Sequence, residues 1–282
     1  MSQFVTLGKQ LPVALSIAGF DPSGGAGILA DLRTFAAHRL YGMAAISAIT
    51  VQSTLGIRRV EPVSAEILRE TLKTLFEDEK PQGIKIGMVG SEENINCFAP
   101  FLVQIYPSPI VLDPVLRSSS GSELLSGSAL EAFRRVLLPR VQWLTPNLEE
   151  AAKLTGLPVQ GPDGMVKSAH KLQKIARESG GNGLNVVVTG GHRNPPDDLL
   201  LTAEGAEHWL PGEHIETSAT HGTGCTFSSA LLANLILGRS PLESVRAAKQ
   251  FVRTAMERAY PVGKGKGPLN QLFALDDIES NE

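Results

Sequence analysis

The stretch Thr220-His221-Gly222-Thr223-Gly224-Cys225 runs directly into a small-residue, apolar segment, Thr226 to Leu237. Two glycines spaced one apart let the backbone turn tightly, and a helix beginning near Gly224 leaves its first N–H groups without intrahelical acceptors. Those donors, together with the partial positive charge of the helix end, make a site for phosphate or a phosphoryl group in transfer. A thiol at that end is expected to ionise more readily than a free cysteine of pKa about 8.5, which makes Cys225 a candidate base or nucleophile beside Gly222 and Gly224. The same residues also suit a glycine turn ahead of a core helix that carries a small buried cysteine. The stretch by itself supports both readings.

Further polar residues fall where strands end. Asp21-Pro22-Ser23-Gly24-Gly25-Ala26-Gly27 follows the apolar run Leu11 to Ala18 and leads into an amphipathic stretch ending at Arg39. Its glycines let the backbone approach a ligand, with Asp21 either a ligand contact or a turn residue. It is not a dinucleotide fingerprint, because G-x-G-x-x-G is absent and no acidic residue follows a second strand at the expected distance. Gln52 ends the run Gly42 to Val51, and its amide, donor and acceptor at once, suits a heterocycle that shows both an amine and a ring nitrogen. Asp113 closes the strand Pro109 to Asp113, a natural position for a magnesium or water contact. Asn147 and Glu150, three apart, share a face of a first helical turn. They could reach a hydrated Mg²⁺ together, or simply cap their helix.

The elements that must hold these residues alternate between strand and helix. Helices are expected from Ser64 to about Asp78, from Ser91 with a kink or early end at Pro100, from Thr145-Pro146-Asn147 to Gly156, from Gly164 to Ser179, and from the capping box at Ser240 to about Tyr260. Strands are expected at Gly83 to Met88, Gln142 to Leu144 and Val186 to Thr189, and a hairpin at the sheet edge over Leu199 to Leu210. That pattern predicts an α/β fold with a mostly parallel sheet, helices on both faces and ligand groups at the strands' carboxyl ends. A single domain over residues 1–282 is expected, with 1–10 and 271–282 loose at the ends and Gly263 to Asn270 a flexible basic loop. The net charge of −3 provides no basic field for nucleic acid or anionic lipid, which leaves a small molecule as the partner. Cys97 and Cys225 have no metal-ligand spacing, and neither a signal pattern nor a run of 18 apolar residues is present, so a cytoplasmic protein with reduced thiols is expected. A Walker A loop is absent, so phosphate transfer here would not use a P-loop.

Taken together, Ala18 to Gly27, Val51-Gln52-Ser53-Thr54, Lys85-Ile86-Gly87-Met88, Leu112-Asp113-Pro114-Val115, Thr145-Pro146-Asn147 to Glu150 and Thr220 to Cys225 resemble, in order, the hydroxymethylpyrimidine/phosphomethylpyrimidine kinases of thiamine biosynthesis, a branch of the ribokinase-like family. The resemblance runs from about Leu11 to Asn270. It implies a ribokinase-like three-layer sandwich that uses ATP and Mg²⁺ and forms a homodimer. It also implies a pyrimidine held among Gly19, Asp21, Ala26, Met88 and Val115, with Gln52 on its polar edge. The nucleotide would lie against Asp113, Asn147, Glu150, Thr189, His192 and Thr220, with Asp113 and Glu150 meeting the metal through water. Cys225 takes by position the place of the family's usual Asp base. Relatives often carry Lys where this chain has Thr189, and a second Lys within the Arg117 to Ser120 run, which leaves Arg117, Lys264 or Lys266 to meet phosphate. A pyridoxal/pyridoxine kinase and a non-catalytic pyrimidine-binding sensor are the alternatives.

Overall fold

The computed structural model describes residues 10–116, 125, 127–191 and 193–276. Nine strands form one sheet in the order β3-β2-β1-β4-β5-β6-β7-β8-β9. They are β1 (Val13–Phe20), β2 (Tyr41–Ser53), β3 (Gly56–Pro62), β4 (Ile84–Ile86), β5 (Ile110–Leu112), β6 (Trp143–Leu144), β7 (Asn185–Val188), β8 (Asp198–Leu201) and β9 (Glu207–Leu210). The run from β2 through β1, β4, β5 and β6 to β7 is parallel, while β3, β8 and β9 are antiparallel additions at the two edges. The α/β expectation and the edge hairpin over Leu199 to Leu210 are therefore borne out.

Strand residues alternate between two helical layers. Leu15, Ile17, Ile84, Ile86, Leu112, Val186 and Val188 pack on one side against α2 (Ala65–Asp78), α3 (Glu92–Val103), α4 (Gly127–Ala132), α5 (Leu148–Thr155) and α6 (Gly161–Glu178). Ala14, Val111, Trp143, Val187 and Leu200 pack on the other side against α1 (Gly27–Ala37), α7 (Thr223–Ile236) and α8 (Pro241–Glu257). The three layers follow directly from this period of two. Helix ends behave as their residues dictate: Ser64 and Ser91 accept from backbone N–H groups three residues on, and Ser240 with Glu243 forms a capping box. Helix α3 carries Pro100 in its interior and ends at Val103.

Two elements lack a clear sequence signature. Strand β3 is an edge strand with no fully buried residue, so its Gly-Ile-Arg-Arg-Val-Glu-Pro has no core face to impose an apolar period. Helix α4 lasts only six residues before passing into a π turn (Phe133–Leu137) and a 3₁₀ turn (Leu138–Arg140), which spoils a 3.6-residue period although Ala129, Phe133, Leu137 and Leu138 are all core. Two expectations at the end of the chain are corrected. The basic loop is strapped down: Lys266 N donates to Thr54 O (3.1 Å), Gly267 N to Ser218 O (3.1 Å) and His221 N to Gly267 O (3.1 Å). The tail is likewise packed where it is described, since Gln271 is buried and donates to Thr226 Oγ1 at 3.2 Å. Residues 1–9 and 277–282 lie outside the described residues.

The α1/α7 layer contains a polar plug. Between Ile84 and Ile86, Lys85 faces that layer and is fully buried, with Nζ 2.9 Å from both oxygens of Asp31 on α1. Ser16 Oγ of β1 donates to Asp31 Oδ2 (2.6 Å), and Ser229 Oγ of α7 donates to Asp31 Oδ1 (2.8 Å). Burial alone favours the neutral amine, but the Asp31 carboxylate, helped by Cys225 and Asp113, holds the Lys85 ammonium above its ordinary range. Removing one member leaves a buried charge unpaired, a loss of about 3–5 kcal/mol, whereas an apolar pair of similar volume is often neutral. Lys85→Met and Asp31→Leu are each expected to cut unfolding stability in urea by about that amount, and the double variant to recover most of it.

Candidate active site

A cleft of about 890 Å³ opens where the parallel strands end. Gly19, Asp21, Ala26, Gln52, Met88, Asp113, Val115, Asn147, Glu150, Thr189, Thr220, Gly222, Gly224 and Cys225 all line it. His192 and Arg117 lie outside the described residues. Lys266 lines the cleft and Lys264 does not, while Lys85, Lys153, His221 and Phe227 line it without having been singled out for a role from sequence. The signal available for Lys85 was a cation inside the apolar triplet Ile84-Lys85-Ile86. Such a residue is almost never fully buried unless paired.

The β1–α1 loop is organised by Asp21. Its Oδ1 accepts from Ser23 N (2.8 Å) and Ser23 Oγ (2.7 Å), and its Oδ2 accepts from Ala26 N (2.9 Å) and lies 2.8 Å from His221 Nε2. Burial by itself would raise this carboxyl, but hydrogen bonds from His221 and Ser23 hold it down to about 2. Oδ1 thus closes the first glycine loop on itself and Oδ2 ties that loop to the second across 200 residues of chain, which gives Asp21 the turn role at a position that also lines the cleft. Gln52 sits at a β-bulge between Val51 and Gln52 that re-aims its side chain into the cleft.

Helix α7 starts at Thr223 with Gly222 as its N-cap at φ 87°, a left-handed conformation that favours glycine. A Cβ there would also meet Gly25 O at 1.9 Å. Gly224 differs: a Cβ would find only the Asp113 carboxylate oxygens at 3.7 and 3.8 Å, so its open side faces the cleft. The first helical bond runs from Thr226 N to Gly222 O, which leaves the N–H groups of Thr223, Gly224 and Cys225 without intrahelical acceptors. That is the arrangement of N–H donors expected from the sequence.

The thiol expectation is overturned. Burial pushes the Cys225 thiol up to about 12, with the Asp113 and Asp31 carboxylates adding to it and the Lys85 ammonium and a Gly27 N–H opposing. The helix end is outweighed because burial at the cleft floor, which no sequence separation reveals, desolvates the thiolate. Asp113 is buried, accepts from Ser228 Oγ at 3.2 Å, and is raised to about 6, first by burial and then by Asp31, against Lys85. Glu150 is raised well above the ordinary carboxylate range, first by burial and then by Asp113. Asn147 and Glu150 form the full capping box of α5: Glu150 N donates to Asn147 Oδ1 and Asn147 N donates to Glu150 Oε2, both at 2.9 Å. The capping role and the cleft position therefore coexist in the same pair.

Comparison with known proteins agrees with this geometry. The sequence profile of the phosphomethylpyrimidine kinase family matches residues 21–270. A hydroxymethylpyrimidine/phosphomethylpyrimidine kinase of Staphylococcus aureus is 36% identical over 93% of this chain and 94% of its own, and one from Haemophilus influenzae is 38% identical over 91% and 95%. Among solved structures, the ADP complex of Bacillus subtilis pyridoxal kinase superposes with a TM-score of 0.82 at 32% identity, covering 93% of this chain and 98% of that one. The phosphomethylpyrimidine kinase of Clostridium difficile superposes with a TM-score of 0.74 at 36% identity, covering 86% and 99%. An α/β sheet flanked by two helical layers, a helix N-terminus and the carboxylates of Asp113 and Glu150 lining one cleft, and a profile match over most of the sequence place this chain in the phosphomethylpyrimidine kinase family.

Proposed function

We propose that the chain transfers the γ-phosphoryl group of ATP to the hydroxymethyl oxygen of 4-amino-5-hydroxymethyl-2-methylpyrimidine, and a second phosphoryl group to the resulting monophosphate, at this one cleft. The observation that carries the reading is the meeting, within one cleft, of an N–H-rich helix end with the buried Asp113 and the half-buried Glu150 carboxyls. Phosphoryl transfer needs little covalent chemistry from a protein, only positioning and charge stabilisation. The α7 N–H groups receive charge on the transferred group, and the pyrimidine lies against Gly19, Ala26, Met88 and Val115. Thr189, Thr220 and Asn147 border the nucleotide, and Lys153 and Lys266 line the same cleft on the side toward phosphate.

The donor set fits Mg²⁺. Burial and Asp113 raise the proton affinity of Glu150, burial and Asp31 raise that of Asp113, and Lys85 is already bonded to Asp31, so negative charge on the cleft floor is left for a dication to balance. Among the described residues no group of three or more His, Cys, Asp or Glu side chains forms a protein-only cage, which suits a cation that keeps waters and phosphate oxygens. When bound, Mg²⁺ would neutralise phosphate charge. Cys225, protonated in the free protein near neutrality, sits beside the acceptor oxygen as a contact, and the alcohol's proton leaves late.

A second reading, pyridoxal or pyridoxine phosphorylation, is favoured by the superposition on the Bacillus subtilis pyridoxal kinase. Side-by-side kcat/KM values for the two alcohols decide between them. A higher value for pyridoxine defeats the pyrimidine reading, and tight pyrimidine binding with no ADP release would mean a sensor. A cytoplasmic location is retained as part of the proposal. No helix among the described residues is long and apolar enough to cross a membrane. A homodimer is also proposed, supported by the exposed Ile49, Val51 and Leu55 of the β2–β3 hairpin, and light scattering on the same sample should read the mass of two chains.

Cys225→Ala is expected to lower kcat by about a hundredfold while leaving pyrimidine binding largely intact. Alkylation of Cys225 in the ligand-free protein should have a pH midpoint above that of a free thiol, about 8.5, and a midpoint below it would restore the thiolate.

The raised carboxyls carry a pH dependence of definite sign. Asp113 binds its proton more tightly folded (about 6) than at its ordinary 3.8, so the stability it contributes is full at low pH and lost as pH rises through that window. The Tm of Asp113→Asn should therefore gain on that of the wild type between pH 4 and pH 6, and Mg²⁺ should raise the wild-type Tm more at pH 7 than at pH 5.

A further inference from the structure

His221 Nε2 has two neighbours with conflicting demands. It lies 2.8 Å from Asp21 Oδ2 and 3.3 Å from Gln52 Nε2. Asp21 is already an acceptor from Ser23 N, Ser23 Oγ and Ala26 N, three donors that suit an ionised carboxylate and oppose a protonated one. The proton in the 2.8 Å contact therefore belongs to imidazole, and Nε2–H donates to Asp21, whether the ring is neutral or charged. A nitrogen that carries this proton cannot also accept from an amide NH₂. A half-turn of the Gln52 amide leaves every heavy-atom position in place and resolves the conflict, because it sets Oε1 against the Nε2–H. Asp21 itself is nearly buried and is held from both sides, so the tether that orients the ring is stiff.

We propose that His221 is a positioning residue for specificity: fixed by Asp21, it takes the carbonyl end of Gln52, turns the amide NH₂ into the cleft, and so makes Gln52 read a hydrogen-bond acceptor on the ligand's ring edge. On the pyrimidine reading given above, on which the ligand half of this inference rests, that acceptor is the ring nitrogen beside the exocyclic amine, and the amine is met by another group. Gln52 then reads an edge that a pyridine ring with a phenolic oxygen can also offer. By residue type alone Gln52 could meet both the amine and the ring nitrogen, and the tether leaves its donor end for the ligand. His221 also belongs to the loop that ends in Gly222, so the group that sets the heterocycle's orientation is covalently continuous with the anion site that receives the phosphoryl group.

Two-bond ¹⁵N–¹H spectra of the ligand-free protein near neutral pH, with His221 assigned by its loss in His221→Leu, should show Nε2 protonated; an unprotonated Nε2 overturns the proposal whatever the substrate proves to be. For the ligand half, calorimetry compares 4-amino-5-hydroxymethyl-2-methylpyrimidine with the analogue carrying CH in place of the ring nitrogen beside the amine. The CH analogue should bind roughly 10–100-fold more weakly to the wild type, the scale of one unsatisfied buried donor, and the two compounds should bind alike in Gln52→Glu, which keeps the acceptor for His221 and removes the NH₂. His221→Leu should raise KM for the pyrimidine by a similar factor with a much smaller change in kcat. His221→Gln, whose amide nitrogen can stand in for Nε2–H, should recover most of that loss. Equal binding of the two compounds to wild type, or no recovery in His221→Gln, overturns the assignment. If neither compound binds the wild type, the pyrimidine reading fails, and the spectra still decide the orientation of Gln52.

Discussion

The buried Lys85–Asp31 pair is the constraint on which the arrangement of this protein depends. An ammonium placed in the middle of a central parallel strand has to find a carboxylate, because an isolated buried charge costs more than the fold can spare. That requirement docks α1 and α7 on the same face of the sheet, with Ser16 and Ser229 satisfying the remaining lone pairs of Asp31. Helices α1 and α7 each follow a glycine loop, so one electrostatic contact places both loops over the same strand ends. An apolar pair would pack equally well, but it would not impose a unique register on two helices of small residues. The polar plug is a specificity device of the kind seen when a core trades stability for uniqueness.

Above the plug, the cleft is electrostatically divided. The α7 end offers N–H groups and a partial positive charge, and the floor offers Asp113 and Glu150, both raised first by burial, Asp113 then by Asp31 and Glu150 then by Asp113. A thiol between the two regions responds to the closer and drier influence. For Cys225 that is burial, so it holds its proton in the free protein. Binding of cations and phosphate would change the local charge by several units.

Several residues do two jobs at once, and the structure shows why these were read as alternatives. Asn147 and Glu150 cap α5 and border the cleft, because the first turn of a helix that follows a parallel strand is also the rim of the crevice at that strand's carboxyl end. Asp21 shapes its own turn and also reaches His221, since a short carboxylate has two oxygens and the second loop arrives at 2.8 Å. Local hydrogen bonding and ligand contact compete only when one lone pair must serve both.

Much of this molecule is written locally. The alternation of strand and helix, the capping residues Ser64, Ser91 and Ser240, the Gly222 turn and the strand-end positions of Gln52 and Asp113 follow from nearest-neighbour sterics and from periods of 2 and 3.6, and they could be read without coordinates. Strand β3 and helix α4 could not, because an exposed edge strand and a short helix interrupted by π and 3₁₀ turns have no period to read. Nor could the protonation state of Cys225, the partner of Lys85, or the sense of the Gln52 amide. These depend on distances between groups 54 to 200 residues apart in the chain, Lys85 with Asp31 and His221 with Asp21. Desolvation and Coulomb energies act through space at ångström range, so the sequence by itself determined which residues meet at the strand ends, and only the tertiary structure decided which of them hold protons and which way they point.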